Sequence, residues 1–218
     1  MPEKINNGSK YRLRKIFRPL VNLIAKLFIK CNISPNTISI LAFLTSIIST
    51  IIFFFFNYWF IPIIFGSLIF LTGLLDGVDG AVARKTNKIT SFGGFLDSVL
   101  DRYSDCILYI GFMKYYFLNI HFPYEILILK YSLPIYFWII LATIGTILVS
   151  YSRAIAEKNL ENYNCDIGLG ARSERLFILA VSNWILLPLF GLLSIVIVAF
   201  GTAIYRQMKY YNQLKKSH

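Results

Sequence analysis

The sequence predicts an all-α, polytopic membrane protein: six transmembrane helices preceded by an amphipathic interfacial helix. Three observations predict it. The 218 residues are 56% hydrophobic and only 15% charged, whereas a soluble domain is nearer a quarter charged. Several apolar runs approach the roughly 20 residues needed to span a bilayer. All but three (Arg102, Lys114 and Lys130) of the 22 Lys and Arg residues also fall in four clusters. Residues 1–30 carry eight of them. Arg84, Lys85 and Lys88 form a second cluster, Arg153, Lys158, Arg172 and Arg175 a third, and Arg206, Lys209, Lys215 and Lys216 a fourth. The net charge of +11 therefore reads as a positive-inside bias, with no nucleic-acid partner, and places all four clusters in the cytosol. Basic flanks of this kind also attract anionic lipid head groups.

Residues 1–9 read as a disordered N-terminus. Over residues 10–30, Leu13, Ile16, Phe17, Leu20, Leu23, Ile24, Leu27 and Phe28 recur at three- and four-residue steps, opposite Arg14, Lys15, Arg18, Lys26 and Lys30. This pattern fits a helix lying on the cytosolic interface; the alternative is a tilted extension of the first span. No early apolar core with a cleavage site is seen, so no cleaved signal peptide is expected. Residues 31–212 read as one six-helix domain, since no linker or low-complexity tract divides them.

The first span is expected over about Thr37 to Phe56, with Pro35 near its start. Aromatics around Asn57 to Pro62 suit an interfacial turn. The second span covers about Ile61 to Arg84. Lys85 to Ile89 form a loop, and Thr90 or Ser91 caps a third helix running to about Phe117. An outer loop, Asn119 to Ser132, leads to a fourth span from near Pro134 into Arg153 to Asn159. Residues 160–171 form a Gly/Asn loop. The apolar run from Leu176 to Ile204 is long for one span. A turn near Asn183 to Pro188 divides it into two and returns the basic C-terminus to the cytosol. Cys31, Cys106 and Cys165 are scattered and odd in number, and read as free thiols. His121 and His218 lie apart, which argues against a histidine site.

Four aspartates stand in this apolar chain with the spacing D-x2-D-G-x2-A-R-x8-G-x3-D-x3-D: Asp76, Asp79, Asp97 and Asp101. Ionised residues in membrane segments are costly and mark function. Each pair, three or four apart, shares a helix face. At 1.5 Å per residue, Asp76 lies ~12 Å of helix from Arg84 and Asp101 ~16 Å from Thr90. An antiparallel hairpin of these helices lets the pairs face each other at similar depth. Four carboxylates repel in a low dielectric unless they are protonated, hydrated or neutralised by cations. Oxygen donors suit Mg²⁺, Mn²⁺ or Ca²⁺, and two such ions suit in-line phosphoryl displacement. Gly80 and Ala83 leave room beside the helix, Arg84 offers a fork for phosphate, and Gly93 permits close approach. Asp105, one turn beyond Asp101, falls outside this spacing. Intramembrane carboxylates also occur in cation-coupled transporters, so that class stays open on the residues alone.

Asp76, Asp79, Gly80, Ala83, Arg84, Gly93, Asp97 and Asp101 resemble, without departure, the signature of the CDP-alcohol phosphotransferases. The resemblance implies a homodimeric phospholipid synthase of the cell membrane. It implies two Mg²⁺ (or Mn²⁺) ions held by the four aspartates, with Asp101 as catalytic base toward an acceptor hydroxyl. Gly80, Ala83 and Arg84 would bind the CDP of an activated lipid, with Asp76, Asp79 and Gly93 beside it. Pro35, Asn36 and Thr37 resemble an element bordering the nucleotide in this family. Ser150, Tyr151, Arg153, Ala154, Ala156, Glu157, Arg172, Glu174 and Arg175 resemble the corresponding region of phosphatidylinositol-phosphate and archaetidylinositol-phosphate synthases. There, Arg153, Arg172 and Arg175 would bind the phosphate of inositol 1-phosphate, an acceptor that needs an anion pocket. The expected reaction is metal-dependent transfer of a phosphatidyl-type group, on diacylglycerol or archaeol, from a CDP-lipid to inositol 1-phosphate with release of CMP. Glycerol 3-phosphate is the alternative acceptor.

Overall fold

The computed structural model describes residues 13–118, 133–159 and 168–217. The expectations for residues 1–9, for the outer loop at 119–132, for the loop at 160–167 and for His121, Cys165 and His218 lie outside these residues. Among the described residues every element is helical. In chain order they are α1 (Leu13–Ile16), α2 (Arg18–Lys30), α3 (Pro35–Phe55), α4 (Ile61–Lys85), α5 (Ser91–Ile110), a 3-10 turn (Gly111–Met113), α6 (Lys114–Phe117), α7 (Ile135–Asn159), α8 (Arg172–Trp184) and α9 (Pro188–Ser217).

The ends follow from local chemistry. Helix α3 begins where Ser34 Oγ accepts the Thr37 N–H at 3.2 Å, with Pro35 at the first position. Helix α5 begins where Thr90 Oγ1 accepts the Gly93 N–H at 3.0 Å, so Thr90, of the two expected candidates, is the cap. A side-chain acceptor at this position satisfies one of the orphan N–H groups of the first turn. Helix α4 closes at Thr86, and Asn87 follows at φ 53°, a left-handed value that Asn tolerates. The apolar run after Arg175 breaks at Leu186, φ 61°, just before Pro188. It is thus divided where the sequence places a turn. The interfacial segment is interrupted at Phe17, and α2 starts with Pro19 in its first turn. The third helix reaches Phe117 only through the 3-10 turn.

Among the described residues four helices, α3, α4, α7 and α9, are long and apolar enough to cross a membrane. Helix α5 falls outside that group because Asp97, Asp101, Arg102 and Asp105 lie within its 20 residues. Helix α8 has 13 residues, about 20 Å at 1.5 Å per residue, shorter than the hydrocarbon layer.

The main core joins every helix from α3 to α9. Phe53 stacks on Phe65 with centroids 4.0 Å apart, and Phe112 meets both edge-on. Gly66 brings α4 against α8: a Cβ there would stand 2.7 Å from Ala180 O. At the far end of α3, buried Lys114 donates to Phe53 O at 2.8 Å and Phe56 O at 3.2 Å, satisfying carbonyls that the helix end leaves free. A second apolar cluster (Ala25, Ile38, Ala42, Leu75, Val78, Val82) fastens α2 onto α3 and α4. Leu20, Leu23 and Leu27 of α2 remain exposed. Helix α3 packs along both α4 and α5, whereas α4 and α5 do not pack along one another. The expected hairpin is therefore open, and the carboxylates of its two arms border the opening.

Candidate active site

Asp76 and Asp79 occupy successive positions on one face of α4, and Asp97 and Asp101 on one face of α5. Across the opening, Asp76, Asp97 and Asp101 bring carboxylate oxygens within 4.8 Å of one another. Asp79 stands apart from this trio. Its Oδ2 accepts the Ser39 hydroxyl of α3 at 2.6 Å, and its Oδ1 takes the Gly80 N–H. Asp76 and Asp79 are both buried. Three converging carboxylates with no nitrogen or sulfur donor among them fit a hard divalent cation such as Mg²⁺ or Mn²⁺.

The cluster has a cationic neighbour on α8. Arg172 Nη1 lies 2.7 Å from both Asp76 Oδ1 and Asp101 Oδ1. Its Nε stands 3.5 Å from Asp105 Oδ1, while Arg175 Nη2 stands 2.7 Å from Asp105 Oδ2. Helix α8 is aimed by its own first turn: the Ala171 N–H donates to Glu174 Oε2 at 2.7 Å, and Arg175 Nη1 donates to Gly170 O at 2.6 Å. Arg153 is placed differently. It pairs with Glu157 one turn along α7, Nε to Oε1, at 2.9 Å.

A cavity of about 720 Å³ adjoins the carboxylates, between α2, α4 and α8. Its polar lining includes Asp76, Asp79, Asp97, Gly80 and Arg84, with Arg18, Asn22 and Lys85 added. Its apolar lining includes Phe17, Phe70, Leu74, Leu176 and Phe177, with the Phe17 ring against both Phe70 and Phe177. Arg84 folds its guanidinium over Gly80, where a Cβ would stand 3.2 Å from Nη1. Gly93 faces the first turn of α3: a Cβ there would meet Asn36 Oδ1 at 3.0 Å. Pro35, Asn36 and Thr37 are thus set beside the start of α5. Ala83 is half-buried on α4.

Sequence reasoning missed Ser39, Arg18, Asn22 and Lys85, and left Asp105 outside the site. Ser39 is a lone hydroxyl in an apolar span, and only the fold brings it to Asp79. Asp105 did carry a signal, since it continues the face of α5 that bears Asp97 and Asp101.

An apolar helical bundle, a cluster of carboxylates, and a cavity that is acidic and basic on one part of its lining and greasy on another define a membrane protein built for an amphiphilic, anionic molecule. The chain belongs to the CDP-alcohol phosphatidyltransferase family, which residues 32–205 match. It is 31% identical over 192 residues to the archaetidylinositol phosphate synthase of Pyrococcus horikoshii, covering 88% of this chain and 90% of that one. Among solved structures, Mycobacterium tuberculosis phosphatidylinositol phosphate synthase with CDP-DAG bound shares the fold at TM-score 0.67 and 21% identity, covering 88% of this chain and 94% of that chain. The same enzyme in complex with manganese and citrate gives TM-score 0.66 at 22% identity, covering 88% of each chain. The protein is therefore a membrane transferase of phospholipid biosynthesis, and the transporter alternative gives way to an enzyme.

Proposed function

We propose that the protein transfers a phosphatidyl-type group, on diacylglycerol or archaeol, from a CDP-lipid to inositol 1-phosphate and releases CMP. The observation that carries a phosphorylated acceptor is the pairing of Arg172 with Asp101 at 2.7 Å. It sets a guanidinium for a phosphorylated acceptor directly beside the carboxylate for that acceptor's hydroxyl. The choice of inositol 1-phosphate over glycerol 3-phosphate is supported by the name of the Pyrococcus horikoshii relative.

In this reading Asp101 takes the proton of the inositol hydroxyl. The hydroxyl oxygen forms a bond to the lipid-side phosphorus, the bond from that phosphorus to CMP breaks, and CMP leaves with the electron pair. Asp76, Asp97 and Asp101, with Asp79 beside them, would hold two divalent ions, Mg²⁺ or Mn²⁺. Bound there, such ions supply charge stabilisation for the pyrophosphate and the leaving CMP. Arg84 binds a donor phosphate across Gly80, Ala83 leaves space for the nucleotide, and Gly93 with Pro35, Asn36 and Thr37 borders it. The apolar wall around Phe17, Phe70 and Phe177 takes the start of the lipid chains. Arg172 and Arg175, with Arg153, bind the acceptor phosphate.

The same reading has six spans, with α5 and α8 crossing beside the four long helices, and one catalytic domain over residues 31–212. It places both termini and the active site on the cytosolic side of the cell membrane and pairs the chain as a homodimer. Purified protein supplied with a CDP-lipid, Mg²⁺ and a panel of inositol 1-phosphate, glycerol 3-phosphate, inositol and serine tests the acceptor. The reading expects CMP release with inositol 1-phosphate. Release with glycerol 3-phosphate alone would replace the acceptor and leave the family chemistry standing.

A further inference from the structure

Asp105 is only 2% exposed. It lies outside the trio of clustered carboxylates and does not line the cavity. Its two oxygens are divided between two arginines of α8: Oδ2 to Arg175 Nη2 at 2.7 Å and Oδ1 to Arg172 Nε at 3.5 Å. Arg175 is gripped from a second side by Gly170 O. The next polar group on the same face of α5, Tyr109, bonds Thr146 Oγ1 of α7 at 3.0 Å and stands beside Arg175.

Two guanidiniums three residues apart on one helix repel each other. Burying both at one place is unfavourable unless an anion lies against them. Asp105 supplies that anion from behind. Arg172 Nη1 stands 2.7 Å from Asp76 Oδ1 and from Asp101 Oδ1, beside the carboxylate proposed to meet the acceptor hydroxyl. A carboxylate behind the pair also fixes the planar heads, so fewer rotamers are lost when an anion binds in front.

We infer that Asp105 is a positioning residue for acceptor recognition: it holds Arg172 and Arg175 as a paired anion site and so selects an acceptor that already carries a phosphate. The inference rests on the proposed role of those two arginines. Asp105→Asn keeps the shape of the side chain and removes its charge. In the full-length protein with CDP-lipid and Mg²⁺, the acceptor KM rises about tenfold or more, as expected when a charge-assisted contact is lost. Inorganic phosphate, used as a competing anion, weakens as an inhibitor by a similar factor. The donor KM stays within about twofold of wild type, which a general loss of structure would not single out. An unchanged acceptor KM and phosphate inhibition in Asp105→Asn overturns the inference.

Arg175→Lys, measured alongside, separates the two levels. If it raises the acceptor KM while Asp105→Asn does not, the positioning role falls and the proposed acceptor site stands. If neither variant moves the acceptor KM, both fall. Should Asp105→Asn not fold, Tyr109→Phe removes only the hydroxyl beside Arg175. A raised acceptor KM with an unmoved donor KM then supports the paired site, and an unmoved acceptor KM overturns it.

Discussion

Arg172 and Asp101 meet at 2.7 Å, Nη1 to Oδ1, and the same Nη1 stands 2.7 Å from Asp76 Oδ1. One guanidinium thus ties α8 to a carboxylate on each arm of the open hairpin. Arg172, from the second of the two regions that carry separate resemblances, is thereby joined to the aspartate signature.

Asp101→Asn removes the proposed base and leaves side-chain shape unchanged. CMP release falls by about 10²–10⁴-fold, the usual contribution of a positioned base, while the thermal unfolding midpoint stays near wild type. Wild-type-like CMP release from this variant contradicts the role of Asp101.

Arg172→Ala leaves the acceptor phosphate without its partner next to Asp101. The acceptor KM rises roughly tenfold or more, and the donor KM moves far less. Equal rises in both constants would argue that Arg172 serves the carboxylate cluster alone. Arg153→Ala, measured the same way, tests whether the arginine now paired with Glu157 also reaches the acceptor.

Ser39→Ala takes from Asp79 the hydroxyl bonded to it at 2.6 Å. A carboxylate that has lost its orienting partner binds metal less well, typically by about tenfold or more. The Mg²⁺ concentration giving half-maximal CMP release rises by a factor of that order. An unchanged Mg²⁺ dependence contradicts a ligand role for Asp79.

Gly66→Val tests the close approach of α4 and α8. Its Cβ would stand 2.7 Å from Ala180 O, a backbone atom, and 3.0 Å from Trp184 Cδ1, so the helices must separate. The variant is destabilised by about 1–3 kcal/mol or more, read as a lowered thermal midpoint. Gly94→Ala is the contrast. A Cβ there meets nothing within 4 Å among the described residues, and helix propensity favours the change by about 0.5–1 kcal/mol.

The long apolar helices were legible because composition and length suffice to find them, and α3, α4 and α7 begin or end within a residue or two of their expected bounds. The break before Pro188 was expected from charge, because the positive-inside rule favours a turn that returns a basic C-terminus to the cytosol. The aspartates were legible because acids are costly among apolar residues and their spacing is helical. Tertiary contacts were not. Nothing around Ser39 distinguishes it from Ser46 or Ser49, which bond backbone carbonyls of their own helix. Nothing local tells Arg153, held by Glu157, from Arg172, held at the cluster. The opening between α4 and α5 also escaped the sequence, because heptad-scale periodicity reports which face is buried and not how far apart two arms stand.

CMP release by the purified, detergent-solubilised protein, with a CDP-lipid and Mg²⁺ present and inositol 1-phosphate added or withheld, tests the whole account in one assay. The proposed chemistry predicts release that requires inositol 1-phosphate and stops on chelation of the divalent ion. Absence of release with inositol 1-phosphate, together with release driven by another acceptor, would contradict it.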